Sequence, residues 1–414
     1  MNRKFCRVLV ATVALTAQLG ITQPAFCDVI AEWNEKAVAL LQPRMPPPPG
    51  FRAMAMVNVA MFDAINSVER RYQPHLTQLN AAPTTSREAA AATAASAVLV
   101  ALLPQQARDE VKAALATYLA AIPNGTPKTD GVALGEAVAA KILEARANDG
   151  SNAPDSYRPR TTPGVYVPTA PTLATMWPNV KPFAMTSPAQ FRPEPPPRLD
   201  SAQWADDYNE IKELGSKDSS KRSAKQTEDA RFWIFTGPQA YFPIALQLVA
   251  AKKMSVIDSA RFMALSAIAM SDALVAVFDA KYHYEFWRPV TAIRNGDLMN
   301  SAAMTRDATW QPIDNTPMFP EYPCAHCIVA ASFAAVVEAL AGTDTPEISA
   351  TSPTAPSVTH RWTKMQAFVS EISEARISAG FHYRFSTKVG EQMGYRIGDH
   401  VVKNVLKPVA PATR

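Results

Sequence analysis

From Val256 to Pro289 the chain reads VIDSARFMALSAIAMSDALVAVFDAKYHYEFWRP. Its apolar run, Val256–Phe278, approaches the length of a membrane span, yet Asp258, Arg261 and Asp272 interrupt it, and ionisable side chains are costly at the centre of a bilayer. The spacing therefore predicts a long helix, Ser255–Trp287, buried inside a soluble bundle. Around it, apolar residues at helical spacing predict further helices at Trp204–Glu213, Gln226–Phe235, Ala240–Lys252, Cys327–Leu340, Trp362–Ala379 and Lys388–Leu406. A Ser/Thr/Pro loop is expected at Thr343–Thr359. Toward the N-terminus, stripes at Val29–Leu41 and Phe51–Val68 predict two helices. A capping-box pattern at Thr85 and Glu88 opens an Ala-rich helix running to Leu103, Pro104 opens another, and Asp130–Arg146 is a further one.

Composition agrees with a helical reading. The 414 residues are 48% hydrophobic, 19% charged and 8% aromatic, enough apolar material to bury one or two cores without metals or disulfides. Only 15 residues are glycine, against a usual share of about 7%, which leaves few positive-φ turns for hairpins or phosphate-cradling loops. Twelve of the 35 prolines fall between Pro154 and Pro197 and mark one connecting stretch. Tyr157, Tyr166, Trp177, Phe183 and Phe191 in that stretch predict a segment pinned against the body. The expected architecture is all-α: two helical bundles, 28–150 and 202–414, joined by a Pro-rich packed connector, 151–201, with the catalytic site in the C-terminal bundle.

Arg3, Lys4 and Arg7, the apolar run from Val8 to Ile21, and Ala25-Phe26-Cys27 before Asp28 read as a signal peptide over residues 1–27, cleaved near Cys27. The mature chain is then expected to be secreted or periplasmic. Taking those three groups from the 41 Lys+Arg leaves 38 against 37 Asp+Glu, and no basic tract of the kind that tracks nucleic acid is present. Neither nucleic acid nor a membrane span is expected for the mature chain; a homo-oligomer is compatible with it.

Polar residues that a core would not choose collect in three segments. In Lys281-Tyr282-His283-Tyr284-Glu285-Phe286-Trp287-Arg288-Pro289, Lys281 and Arg288 are seven apart, two helical turns on nearly one face, and Pro289 is expected to end the helix. The pair suits an oxyanion, or alternatively snorkels to solvent beside its aromatics. In Phe319-Pro320-Glu321-Tyr322-Pro323-Cys324-Ala325-His326-Cys327, His326 falls at the start of an apolar helix, where backbone N–H groups favour an anion and a histidine can move a proton; capping or packing is the alternative. In Ala375-Arg376-Ile377-Ser378-Ala379-Gly380-Phe381-His382, Gly380 offers a helix break that lets His382 curl back toward Arg376.

Lys-x6-Arg-Pro, Pro-x-x-His and Arg-x5-His in this order resemble the signature of the type 2 phosphatidic acid phosphatase and vanadium-dependent haloperoxidase superfamily. The mature chain resembles its secreted bacterial haloperoxidase-like branch, with a Trp-containing first helix, Ala31-Glu32-Trp33-Asn34, and a Pro/Trp-rich middle. The resemblance implies that Lys281, Arg288 and Arg376 clamp a tetrahedral oxyanion, with Cys324 and Ala325 beside it. It implies vanadate as cofactor with His382 as axial ligand to vanadium, or no cofactor and His382 as nucleophile toward phosphorus. His326 becomes the acid–base group in either case. Hydrogen peroxide and a halide or small organic molecule are the implied substrates. The rival readings are a soluble phosphomonoesterase with a His nucleophile and a non-catalytic oxyanion-binding protein.

Three departures from the family pattern stand out. Pro-Ser-Gly-His appears as Pro323-Cys324-Ala325-His326, replacing a hydroxyl donor by a weaker thiol and placing a Cβ beside the ion. The Ser before the Arg is Ala375. The Asp expected four residues after the last His, which supports that ring's basicity, is Ser386. Cys324 and Cys327 form a redox pair, a disulfide once the leader cysteines are gone, or, more remotely, part of a zinc site. His283 is a candidate for the pocket's border; His75, His360 and His400 are expected at the surface.

Overall fold

The computed structural model describes residues 28–168, 170–299 and 301–409; the leader reading for 1–27 lies outside them. Among the described residues thirteen α-helices and one β-hairpin are present. In the N-terminal half these are α1 (Val29–Leu41), α2 (Pro47–Glu69), α3 (Arg87–Leu102), α4 (Gln105–Ala120) and α5 (Thr126–Arg146). After the connector come α6 (Ala202–Leu214), α7 (Ala224–Phe232), α8 (Pro238–Ala251), α9 (Val256–Tyr284), α10 (Pro289–Arg294) and α11 (Ala325–Ala341). The hairpin β1 (Asp344–Ser352) and β2 (Ala355–Lys364) follows, then α12 (Met365–Ser378) and α13 (Arg384–Asn404).

The helix α9 is buried from Ile257 to Lys281 except at Asp258 and Arg261, which are half-buried. It is long and apolar enough to cross a membrane, but its apolar window lies wholly inside the fold, and α2, α11 and α13 pack around it. Its one mid-helix carboxylate, Asp272, is fully buried and accepts backbone N–H groups of Phe183, Ala184 and Met185 at 2.7, 2.8 and 2.9 Å. A charge in the middle of an apolar helix thus ties the connector to the core. Arg146 does the same from α5: it donates to the Lys181 carbonyl at 2.6 Å and lies over the Phe183 ring at 4.0 Å. One apolar cluster runs from Val29 to Leu406, through helices of both halves. A second, aromatic one gathers Trp204, Tyr208, Trp287, Trp310, Tyr383 and Phe385.

Two local expectations are corrected. The cap of α3 is Ser86, whose Oγ accepts from Ala89 N at 3.1 Å, not Thr85. The helix α9 stops at Tyr284 because Glu285 is left-handed (φ 50°), so Pro289 does not end it; Pro289 opens α10 with Arg288 as its N-cap. This follows from proline's fitness for a first helical turn, where its missing N–H is not needed.

The all-α expectation is corrected too: the fold is mostly helical, but residues 344–364 form an antiparallel hairpin where a loop to Thr359 and a helix from Trp362 were expected, pairing Ile348 with Trp362 and Ala350 with His360. Thr345, Ile348, Thr351, Val358, Thr359 and Thr363 supply β-branched residues. The sheet has only two strands, so both are edges and tolerate Pro346 and Pro356.

The helices α11 and α13 pack closely along a stripe of glycines. A Cβ at Gly394 would come within 2.4 Å of the Ile328 carbonyl, and one at Gly398 within 2.5 Å of the Ser332 carbonyl. This contact fixes the helix whose first turn carries His326.

Candidate active site

Lys281, on the last turn of α9, is completely buried, and its ammonium donates to the carbonyls of Pro320 and Glu321 at 2.9 and 2.6 Å. Arg288, just past the break after α9, is 1% exposed. Its Nε donates to the Phe319 carbonyl at 2.9 Å and its Nη1 to the Phe381 carbonyl at 3.0 Å. The same Nη1 lies 3.3 Å from His382 Nε2. Arg376, near the end of α12, is equally buried, with Nη1 on the Trp233 carbonyl at 2.6 Å. The chain turns back after α12 at Gly380 (φ 79°), and the amides of Phe381 and His382 both return to the Arg376 carbonyl. His326 sits in the first turn of α11.

These groups meet. Burial, and then the Arg376, Lys281 and Arg288 charges, hold His326 well below its ordinary pKa. Burial, followed by Arg288, Lys281, Arg376 and His326, does the same to His382. Burial and the neighbouring Arg288 likewise push Lys281 well down. Burial lowers Arg376 to about 9 and Arg288 to about 10. Three cations in one dry place with one carboxylate between them are costly, because desolvation and mutual repulsion add.

Several polar atoms in this place have no partner: the donors Arg288 Nη2 and Arg376 Nε, and the ring nitrogen His326 Nε2, are buried and unsatisfied. Buried polar groups nearly always find partners, so an excess of positive charge with spare donors is a site shaped for a multiply charged oxyanion. The donor set fits vanadate or phosphate.

Comparison with known proteins follows the same lines. Residues 261–411 match the VCPO second helical-bundle domain. The vanadium chloroperoxidase of Curvularia inaequalis is 26% identical over 181 residues, 36% of this chain and 29% of that protein, so the match spans under a third of the relative's length. The family match thus covers the C-terminal part of the chain, where the three polar segments lie. A bacterial vanadium-dependent iodoperoxidase superposes with TM-score 0.79 at 23% identity, covering 93% of this chain and 98% of that one. A holo-type bacterial vanadium-dependent chloroperoxidase gives 0.70 at 17% identity, covering 86% and 91%. At these identities the likeness is one of fold.

Against the superfamily pattern the structure corrects two expectations. Cys324 offers no thiol, because it is disulfide-bonded to Cys327; its sulfur accepts from the Cys327 amide at 3.2 Å and so caps α11. Of the readings offered for these cysteines the structure shows the disulfide, a cystine that spans the turn holding Ala325 and His326 and leaves no free thiolate pair for zinc.

Nor does the last histidine lack a carboxylate. Glu321, fully buried, lies 2.7 Å from His382 Nδ1 through Oε1, and the Tyr383 amide donates to the same oxygen at 3.2 Å. Burial raises Glu321 to about 7 against the pull of Lys281 and Arg288. The buried Ser386, at the position expected for Asp, stands beside it.

Glu321 was the missed residue. Its signal was present: it is the one acidic residue between Asp314 and Glu338, five positions before His326. Phe319 was missed as well; its ring lies 5.1 Å from Lys281 Nζ and 5.0 Å from the Arg288 guanidinium carbon.

Two cavities meet at His326. One, of about 300 Å³, is walled by Phe51, Trp177, Leu274, Phe278, Phe319 and Ala325, and Pro46–Pro49 from the N-terminal half also line it. The other, of about 1000 Å³, reaches Arg376 and Phe381 past Ile313 and Thr291. Elsewhere, His283 is exposed and outside both cavities. His360 is buried, contrary to the surface expectation. His75 and His400 are half-buried on the carbonyls of Phe183 and Ala184.

Proposed function

We propose that the chain is a vanadium-dependent haloperoxidase that spends hydrogen peroxide to oxidise a halide. The observation that carries this reading is the surplus of buried cationic donors around the His382–Glu321 pair. In it Lys281, Arg288 and Arg376 would hold the oxygens of vanadate, with the Ala325 segment alongside, and His382 Nε2 would be the protein's ligand to it. When bound there, vanadate supplies a Lewis-acidic centre that polarises peroxide.

The protein's own groups do the rest. His382 is neutral near pH 7, and its Nδ1–H donates to Glu321, which leaves the Nε2 lone pair directed into the site. The cations keep that ring neutral as well as holding the anion. His326, also neutral and with Nε2 free, takes and returns the protons of peroxide. The net reaction joins halide, hydrogen peroxide and one proton to give hypohalous acid and water. The apolar cavity on the far side of His326 gives a small organic acceptor access to the same point. We also read residues 1–27 as an export signal, and 28–150, 151–201 and 202–414 as N-terminal bundle, connector and site-bearing domain.

A phosphomonoesterase on the same residues is the second reading. The Glu321–His382 pair favours it, because a carboxylate behind the ring is what a histidine nucleophile needs. Two assays on one preparation separate the readings. The purified chain, supplied with orthovanadate, peroxide and iodide, bromide or chloride, is expected to halogenate a phenolic dye, and to stop when vanadate is withheld. Nitrophenyl phosphate hydrolysis without halogenation would replace the first reading by the second.

A further inference from the structure

A second buried histidine lies on the hairpin, outside the pocket just described. His360 is 5% exposed and its ring stacks on Phe232 at 4.0 Å and 8°. Its Nδ1 is 2.5 Å from Glu371 Oε1. Trp233 and Trp362 donate their indole N–H groups to the two oxygens of Glu371 at 2.9 and 3.0 Å. Already the acceptor of both indole N–H groups, Glu371 accepts from His360 Nδ1–H as well, which leaves the Nε2 lone pair facing the other way.

There it meets Glu228 Oε1 at 3.5 Å and Asp229 Oδ1 at 3.6 Å, and His360 Nε2 has no hydrogen-bond partner. Three acceptors turned toward one point repel unless a cation stands between them. Lys225 is ion-paired with Glu228 and Asp229 but does not satisfy the imidazole. Ligands about 2.0–2.2 Å from a tetrahedral zinc ion are separated by about 3.3–3.6 Å. The two imidazole-to-carboxylate distances match that edge, and the three ligand atoms all lie within 4.8 Å of one another.

We infer that Glu228, Asp229 and His360 form a binding site for a divalent cation of the zinc class, oriented by Glu371 and entered from solvent by displacing Lys225. The Glu228 side chain is 42% exposed while that of His360 is 3% exposed, so an ion reaches the buried nitrogen through the carboxylates. The two negative charges exclude an oxyanion from this place. A carboxylate behind a histidine whose other nitrogen faces ligand oxygens is the usual second-layer arrangement of zinc sites.

The test titrates Zn²⁺ alone into the tag-free, chelator-treated full chain against a competing indicator. One equivalent is expected to bind. Because His360→Ala also removes a stacked core ring, the informative variants are Asp229→Asn combined with Glu228→Gln, at the solvent side of the site. This pair is expected to weaken binding by at least about tenfold. Lys225→Met is expected to tighten it. No binding with 100 µM free Zn²⁺, unchanged binding in the double variant, or binding no tighter in Lys225→Met would each overturn the assignment. The cluster would then be an ion-pair network bracing α7 against the hairpin.

Discussion

His382 and His360 are both buried, and both present Nδ1 to a glutamate, Glu321 at 2.7 Å and Glu371 at 2.5 Å. What surrounds the other nitrogen differs. Around His382 stand Lys281, Arg288 and Arg376; around His360 stand Glu228 and Asp229. The same device, a carboxylate fixing the tautomer of a ring, serves opposite guests because the neighbouring charge has opposite sign. Trp233 joins the two regions: its carbonyl accepts from Arg376 and its indole donates to Glu371. Orientation comes from the dyad and selectivity from the charges around it.

Substitutions in the cationic region should break this contrast most strongly. Arg376→Lys keeps the charge but loses the planar donor fork, and is expected to lower halide-oxidation kcat by about 10²–10³-fold, measured at saturating vanadate. Glu321→Gln leaves His382 in place but weakens its support, and is expected to reduce vanadate affinity by about 10–100-fold in equilibrium dialysis. Asp229→Asn, in the acidic region, should leave that affinity within about twofold, as expected of sites without shared partners.

Cys324→Ser combined with Cys327→Ala replaces the cystine sulfur by a hydroxyl that can donate. A gained hydrogen bond of about 0.5–1.5 kcal/mol is expected to tighten vanadate binding severalfold.

The smallest effect is in pH-dependent stability without oxyanion. Glu321 titrates at about 7 in the fold against 4.5 in the open chain. Its contribution is therefore fully present below pH 4.5 and is lost as pH rises to about 7. His326 and His382 are displaced downward, so theirs is present above 6.5 and is lost as pH falls. Comparing Tm of the parent and Glu321→Gln isolates the carboxyl: the parent's relative stability should decline between pH 4.5 and 7, by a few degrees.

The spacing of Lys281, Arg288, His326, Arg376 and His382 was legible because each lies in a short segment whose residue types a core would not choose. Their convergence was not, since it depends on the left-handed Glu285 that breaks the helix between Lys281 and Arg288, and on the turn at Gly380. Glu321 escaped because its role was sought four residues beyond His382, whereas the carboxylate that reaches that ring comes from the strand of chain before α11. Periodicity gave α9 and α11 almost to their ends. It hid the hairpin, whose three prolines, Pro346, Pro353 and Pro356, look like loop until one sees that a two-stranded sheet has no interior strand to disturb. The His360 cluster spans α7, β2 and α12, elements that only the tertiary fold brings together.

Calorimetric titration of orthovanadate into the parent protein and into His382→Ala tests the anion pocket most directly. One equivalent bound per parent chain, abolished or greatly weakened in a variant that melts at nearly the same temperature, is the expected result. Equal binding by both proteins, or none by the parent, would contradict a pocket built around that ring.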